Sequence, residues 1–194
     1  MPLEPDSPEP DPLSSEQWTT DGGSHLDILI DRQSWPQGEV VAARPVLCRA
    51  TDLACETFGW PRLEVGAMLC GDDRMRDLNK RFRGKDSPTN VLSFPSGNDG
   101  MEDDIQRDGA VPETGVLTPG EIAIAYETLC REAKDEAKSL SDHLVHLWVH
   151  GLLHLMGHDH EAEAEAELME AGEIRVLARL GIANPYAVQA GGPG

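Results

Sequence analysis

Cations, aromatic rings and long apolar runs are all scarce in this sequence. Sixteen Lys and Arg stand against 35 Asp and Glu, a net charge of −19. That balance argues against a broadly basic surface of the kind that holds nucleic-acid phosphates without regard to sequence. Phe, Trp and Tyr make up 5% of the chain. No apolar run approaches the ~20 residues a membrane span needs. The N-terminus has neither a basic start nor an apolar core of a secretory signal, so the cytoplasm is the expected compartment. Cys48, Cys55, Cys70 and Cys130 show no C-x-x-C spacing. In a reducing compartment they read as small core residues rather than as ligands or redox centres.

What is present suits one soluble domain with polar extensions. At 194 residues the chain is long enough for a proper core and short for two. Residues 1–24 are rich in Pro, Asp, Glu and Ser, and read as a disordered acidic tail. An acidic, Gly-containing insertion follows at about 97–120, and residues 183–194 read as a loose C-terminal tail, leaving the domain at 25–182. Six of the 16 cations fall between Arg74 and Lys85. Such a run is either a solvated helix face or a local phosphate-contacting patch.

Hydrophobic periodicity predicts an α/β (α+β) domain with a roughly four-stranded mixed sheet and about five helices. The strands are expected near residues 26–30, 63–69, 90–94 and 121–126. The helices are expected at about 40–58, interrupted near Pro45, then 72–82, 127–138, 141–156 and 161–180. Asp72 or Asp73 and Ser141 are the candidate N-caps.

The chemistry concentrates in His150–His160, which reads HGLLHLMGHDH. His150 and His154 are four apart in an apolar helical run, so both imidazoles leave one face about 6 Å apart along the axis. That reach suits one metal ion. Gly157 ends the helix in the left-handed conformation a C-terminal turn needs. The chain can then double back and deliver His160 as a third ligand, leaving a tetrahedral position open for water, as in catalytic sites. His158 beside the turn competes with His160 for that place. His146 lies one turn earlier, but 146 and 154 span about 12 Å of axis, so it reads as a packing or supporting residue. Zinc is the natural ion for imidazole ligands.

The stretch resembles the zincin signature, except that Gly151 stands where the general-base Glu belongs. It resembles more closely the HGxLHLxGYDH motif of the YbeY-type endoribonucleases. FRGKDSPTNVLSFP, residues 82–95, is similar to that family's second hallmark. GEIAIA, residues 120–125, resembles its GDI-containing strand, and Met169 with Glu173 its C-terminal M-x-x-x-E pattern. The likeness covers residues 26–181, with His158 for the usual Tyr and Glu121 for the usual Asp. It implies a zinc-dependent endoribonuclease of small-subunit ribosomal RNA 3′-end maturation and ribosome quality control. Its partners would be the RNA precursor and the ribosome or small subunit. His150, His154 and His160 would bind the metal, and Arg83, picked over Arg81 by the FRGKD context, would be the catalytic arginine. The lesser alternative for Arg83 is a salt bridge to Asp86, and Asp159 could orient a ligand, act as base or equally cap a turn. A metallohydrolase of another substrate, such as a peptidase, and a ribosome-associated factor with a structural metal are the competing readings.

Overall fold

The computed structural model describes residues 13–96, 114–158 and 163–187. Along the chain it forms β1 (Leu13–Thr19), β2 (His25–Asp31), α1 (Gln37–Phe58), β3 (Arg62–Cys70), α2 (Asp72–Arg83) and β4 (Val91–Pro95). Then come β5 (Val116–Ala125), α3 (Tyr126–Asp135), α4 (Leu140–Leu155) and α5 (Glu163–Arg179). The five strands make one mixed sheet in the order β1-β2-β3-β5-β4. β2, β3 and β5 run parallel, and β1 and β4 are antiparallel edges. This is the expected α+β class, with five strands in place of four.

The extra strand corrects the expected N-terminal tail, because from Leu13 onward residues 1–24 are part of the fold. β1 pairs with β2 along its whole length, from Leu13 opposite Asp31 to Thr19 opposite His25. The pattern signal is weak because LSSEQWT carries one large apolar group on the covered face. That group is Trp18, which is 1% exposed and donates its indole N–H to Glu16 at 2.8 Å. Arg32 clamps the same strand through Ser14 and Glu16, both at 2.6 Å.

Alternation along the strands separates two layers. Leu63, Val65, Leu69, Ile122 and Ile124 point into the large core with α1, α4 and α5. Cys70, Met75, Leu92, Ala123 and Ala125 form a smaller cluster under α2 on the opposite face. α2 therefore lies alone across the sheet from the other helices. α1 runs unbroken through Pro45, where an interruption was expected. Pro45 sits on the exposed side, so the carbonyl its missing N–H leaves free faces water.

At β4, Asn90 O accepts from Ala125 N at 3.0 Å and Ser96 N donates to Pro119 O at 2.9 Å. Even-numbered positions therefore bond inward to β5, and Val91, Ser93 and Pro95 turn their backbone groups outward. β5 starts at Val116, so the end of the expected 97–120 insertion is strand; residues 97–113 lie outside the described residues. The N-cap of α4 lies two residues before the expected one: Ser139, not Ser141, accepts from Asp142 N at 3.0 Å. Burial pushes the Cys55 and Cys70 thiols up to about 11 and about 12, which fits inert packing residues. No helix among the described residues is long and apolar enough to cross a membrane.

Candidate metal centre

α4 is the most enclosed helix, because LVHLWVHGLLHL is apolar almost all round. Leu144, Val145, Leu147, Trp148, Val149, Leu152, Leu153 and Leu155 are buried. His146, His150 and His154 form the half-buried stripe left over, each four residues from the next. Gly151 explains how the helix lies so close to the sheet. A Cβ built there would stand 2.9 Å from Ile122 Cδ1 and 3.2 Å or less from two other carbons of that side chain. The roughly 1 kcal/mol that glycine costs a helix is the condition for this approach. At the far end Gly157, at φ 83°, takes the expected left-handed turn, and its N–H reaches His154 O at 3.1 Å.

Within the stripe, His150 Nε2 and His154 Nε2 stand 3.1 Å apart. Two nitrogens bound tetrahedrally to one zinc at roughly 2.05 Å lie about 3.3 Å apart, so the pair is already spaced for a shared ion. The other ring nitrogen of His150 is fixed: Nδ1 lies 2.8 Å from Glu173 Oε1. A carboxylate only accepts, so His150 carries a proton on Nδ1, and in the neutral ring Nε2 is the lone pair. This is the usual support for a metal-binding histidine.

Glu173, on α5, has no exposure at all. Burial alone would raise the pKa of its carboxyl, but hydrogen bonds from His146, His150 and Tyr186 outweigh that and bring it down to about 2. His146 Nε2 lies 3.1 Å from Oε2, and the Tyr186 hydroxyl donates to the same oxygen. His146 thus bonds the carboxylate that holds His150, where a packing or supporting residue was expected. The tail expected to be loose from 183 contributes Tyr186 to this network. Sequence spacing gave no sign of it, because Tyr186 is 40 residues from His146.

His160 and Asp159 lie outside the described residues. Among those described, no set of three His, Cys, Asp or Glu is placed to hold a metal. His158, the competitor for the third place, is turned toward α1: its ring centroid lies 5.9 Å from that of Phe58, and burial pushes its pKa down.

Arg83 closes α2 and is exposed. The salt bridge open to it on sequence goes elsewhere, since Asp86 pairs with Arg76 at 2.6 Å and Lys80 at 3.0 Å. Two contacts relate Arg83 to the histidines. Phe82 stands edge-on to Phe94 of β4 at 5.0 Å, and Ser93 donates its hydroxyl to Gly151 O at 3.3 Å. The helix end carrying Arg83 and the turn carrying His150 thus flank consecutive residues of one edge strand, from its two sides. A separate cavity of about 590 Å³ has five carboxylates, Asp31, Asp72, Asp73, Asp77 and Glu127, in its lining against one cation, Arg74. It shares no residue with the histidine stripe, and its acidic walls oppose phosphate.

A family model described as endoribonuclease YbeY matches residues 40–181. An endoribonuclease YbeY of Rhodopseudomonas palustris is 48% identical over 84% of this chain and 81% of its own length. That of Jannaschia sp. is 44% identical over 83% of this chain and 99% of its own length. A solution structure of TM1509 from Thermotoga maritima aligns with a TM-score of 0.49 at 22% identity, over 87% of this chain and 99% of that one, a likeness too loose to carry an argument. The chain belongs to the endoribonuclease YbeY family.

Proposed function

We propose that the protein is a zinc-dependent endoribonuclease acting on single-stranded segments of ribosomal RNA precursors, in the cytoplasm and in association with the small ribosomal subunit. Family membership supports cleavage of RNA. The observation that supports the metal is the 3.1 Å convergence of His150 and His154, with the far nitrogen of His150 anchored on a buried carboxylate. His150, His154 and His160 would hold the ion. When bound, it would supply a Lewis acid beside the scissile phosphate and lower the pKa of water.

The remaining chemistry belongs to the chain. Glu173 keeps the His150 proton on Nδ1. Arg83 offers a permanently charged planar fork to phosphoryl oxygens. Arg81, Arg83 and Lys85 make no ion pair among the described residues, so they are available to an RNA backbone. Phe82, 56% exposed and carrying Arg81 over its ring at 5.2 Å, offers a face on which an unpaired base can stack. Local cations thus answer the objection raised by the net charge.

The peptidase reading loses ground for a steric reason. The zincin Glu position is Gly151, and Ile122 fills the space its side chain would need. The test is cleavage of an RNA with single-stranded and duplex portions, beside an unstructured peptide, with chelator and with zinc restored. Cuts confined to the single strand, lost with chelator and recovered with zinc, are expected. Chelator-resistant cutting would remove the metal from the reading, and peptide hydrolysis would reinstate the alternative.

A further inference from the structure

The match to the family model stops at residue 181, yet Tyr186 donates to the carboxylate that orients His150. We propose that Tyr186 is a positioning residue for the metal centre. Sharing Glu173 Oε2 with His146, it fixes the carboxylate so that Oε1 faces His150 Nδ1 and His150 Nε2 is left for the ion. The inference rests on the metal-centre reading above.

The proton inventory requires this arrangement. Glu173 is fully buried, and a buried carboxylate oxygen without donors is costly. Oε1 is served by His150. Oε2 has two donors, the Tyr186 hydroxyl and His146 Nε2. His146 Nε2 also lies 3.3 Å from the Tyr186 oxygen, so its one proton is shared between two acceptors. Among the described residues His146 Nδ1 is buried without a partner, which suits a bare lone pair better than an orphaned N–H and places the proton on Nε2. The Tyr186 proton is therefore the one committed wholly to Oε2. Without it, the carboxylate is free to rotate toward His146 and loosen its hold on His150.

The segment bearing Tyr186 is itself held. Ile182 N bonds Leu177 O at 3.0 Å, Lys138 Nζ reaches Pro185 O at 3.5 Å, and Tyr186 N bonds the Asn184 side chain at 2.8 Å. The Tyr186 ring stands at 87° to the His146 ring with centroids 5.6 Å apart. α4, α5 and the chain after them thus meet at one carboxylate.

The experiment compares full-length parent, Tyr186→Phe and Glu173→Gln in three measurements. These are zinc affinity by competition with a colorimetric chelator, the melting temperature of the zinc-free protein, and the His150 tautomer from side-chain ¹⁵N shifts of the zinc-free protein. Tyr186→Phe should weaken zinc binding about tenfold, the lower end for lost support of a ligand, and mix the His150 tautomers, with little change in melting. Glu173→Gln should do both more strongly. Parent-like affinity and a parent-like tautomer in Tyr186→Phe would overturn the proposal. A parent that binds no zinc would sink the metal reading instead, and the tautomer would still decide the role of Tyr186.

Discussion

The ring of Phe82 meets Phe94 edge-on at 5.0 Å, and this contact pins the last turn of α2 to the edge strand that α4 touches from the other side. An aromatic pair contributes about 0.5–1.5 kcal/mol beyond its area, enough to hold a helix end in register. Arg83 is the next residue, so its backbone is placed while its guanidinium stays unpaired among the described residues.

Arg83→Ala should therefore leave stability within about 0.5 kcal/mol and lower single-turnover cleavage at saturating enzyme by about 10²- to 10³-fold, the scale of one lost oxyanion donor. Arg83→Lys should recover part of the rate, since it keeps the charge without the fork. Unchanged turnover in Arg83→Ala would leave the residue a role in binding alone.

His154→Ala should lose bound metal and keep its fold, because His154 lies on the half-buried stripe of α4 and not among its packed leucines. Metal analysis beside circular dichroism checks both halves. Metal content equal to the parent's would show that the 3.1 Å pair is not a ligand pair.

Gly151→Ala sets helix propensity against packing. Alanine gains about 1 kcal/mol in a helix interior, but its Cβ would meet Ile122 at 2.9 Å, and overpacking a tight core costs about 1–3 kcal/mol. A net loss of stability in denaturant unfolding is expected. Ile122→Val, which removes the nearest methyl, should restore part of it in the double variant; no restoration would place the conflict elsewhere.

Trp18→Ala should cost about 3–5 kcal/mol, the range for truncating a buried large aromatic, and a chain begun at Gly23 should lose at least as much because β1 goes with it. Thermal melting measures both. A chain begun at Gly23 that melts like the parent would mean that β1 adds nothing to the sheet.

The parts of this molecule legible in sequence are those whose signal is local. His150 and His154 share a face because helix geometry repeats every 3.6 residues, and Gly157 announces a turn by its type. The strands β2 and β3 alternate cleanly because one face packs against α1. β1 was hidden since an edge strand with one buried ring needs no alternation. Pro45 reads as a break unless its exposure is known. Glu173 was visible only as part of a motif, and its contact with His150 spans 23 residues, which periodicity does not reach. Tyr186 lies farther still, in a stretch whose Pro and Gly content signals looseness.

The pairing of β4 also bears on how the protein behaves in a crowd. Of its outward-facing residues, Val91 has its N–H taken by the Asn90 side chain at 2.7 Å, and Pro95 has none to give. Within the strand that leaves Ser93 as the outward donor, and a second chain seeking to extend the sheet finds one rung where a ladder needs several. Short, proline-ended margins of this kind discourage edge-to-edge polymerisation. The border on which the two halves of the candidate site meet is thus open to a ligand that binds through charge and stacking, and closed to one that binds as a strand.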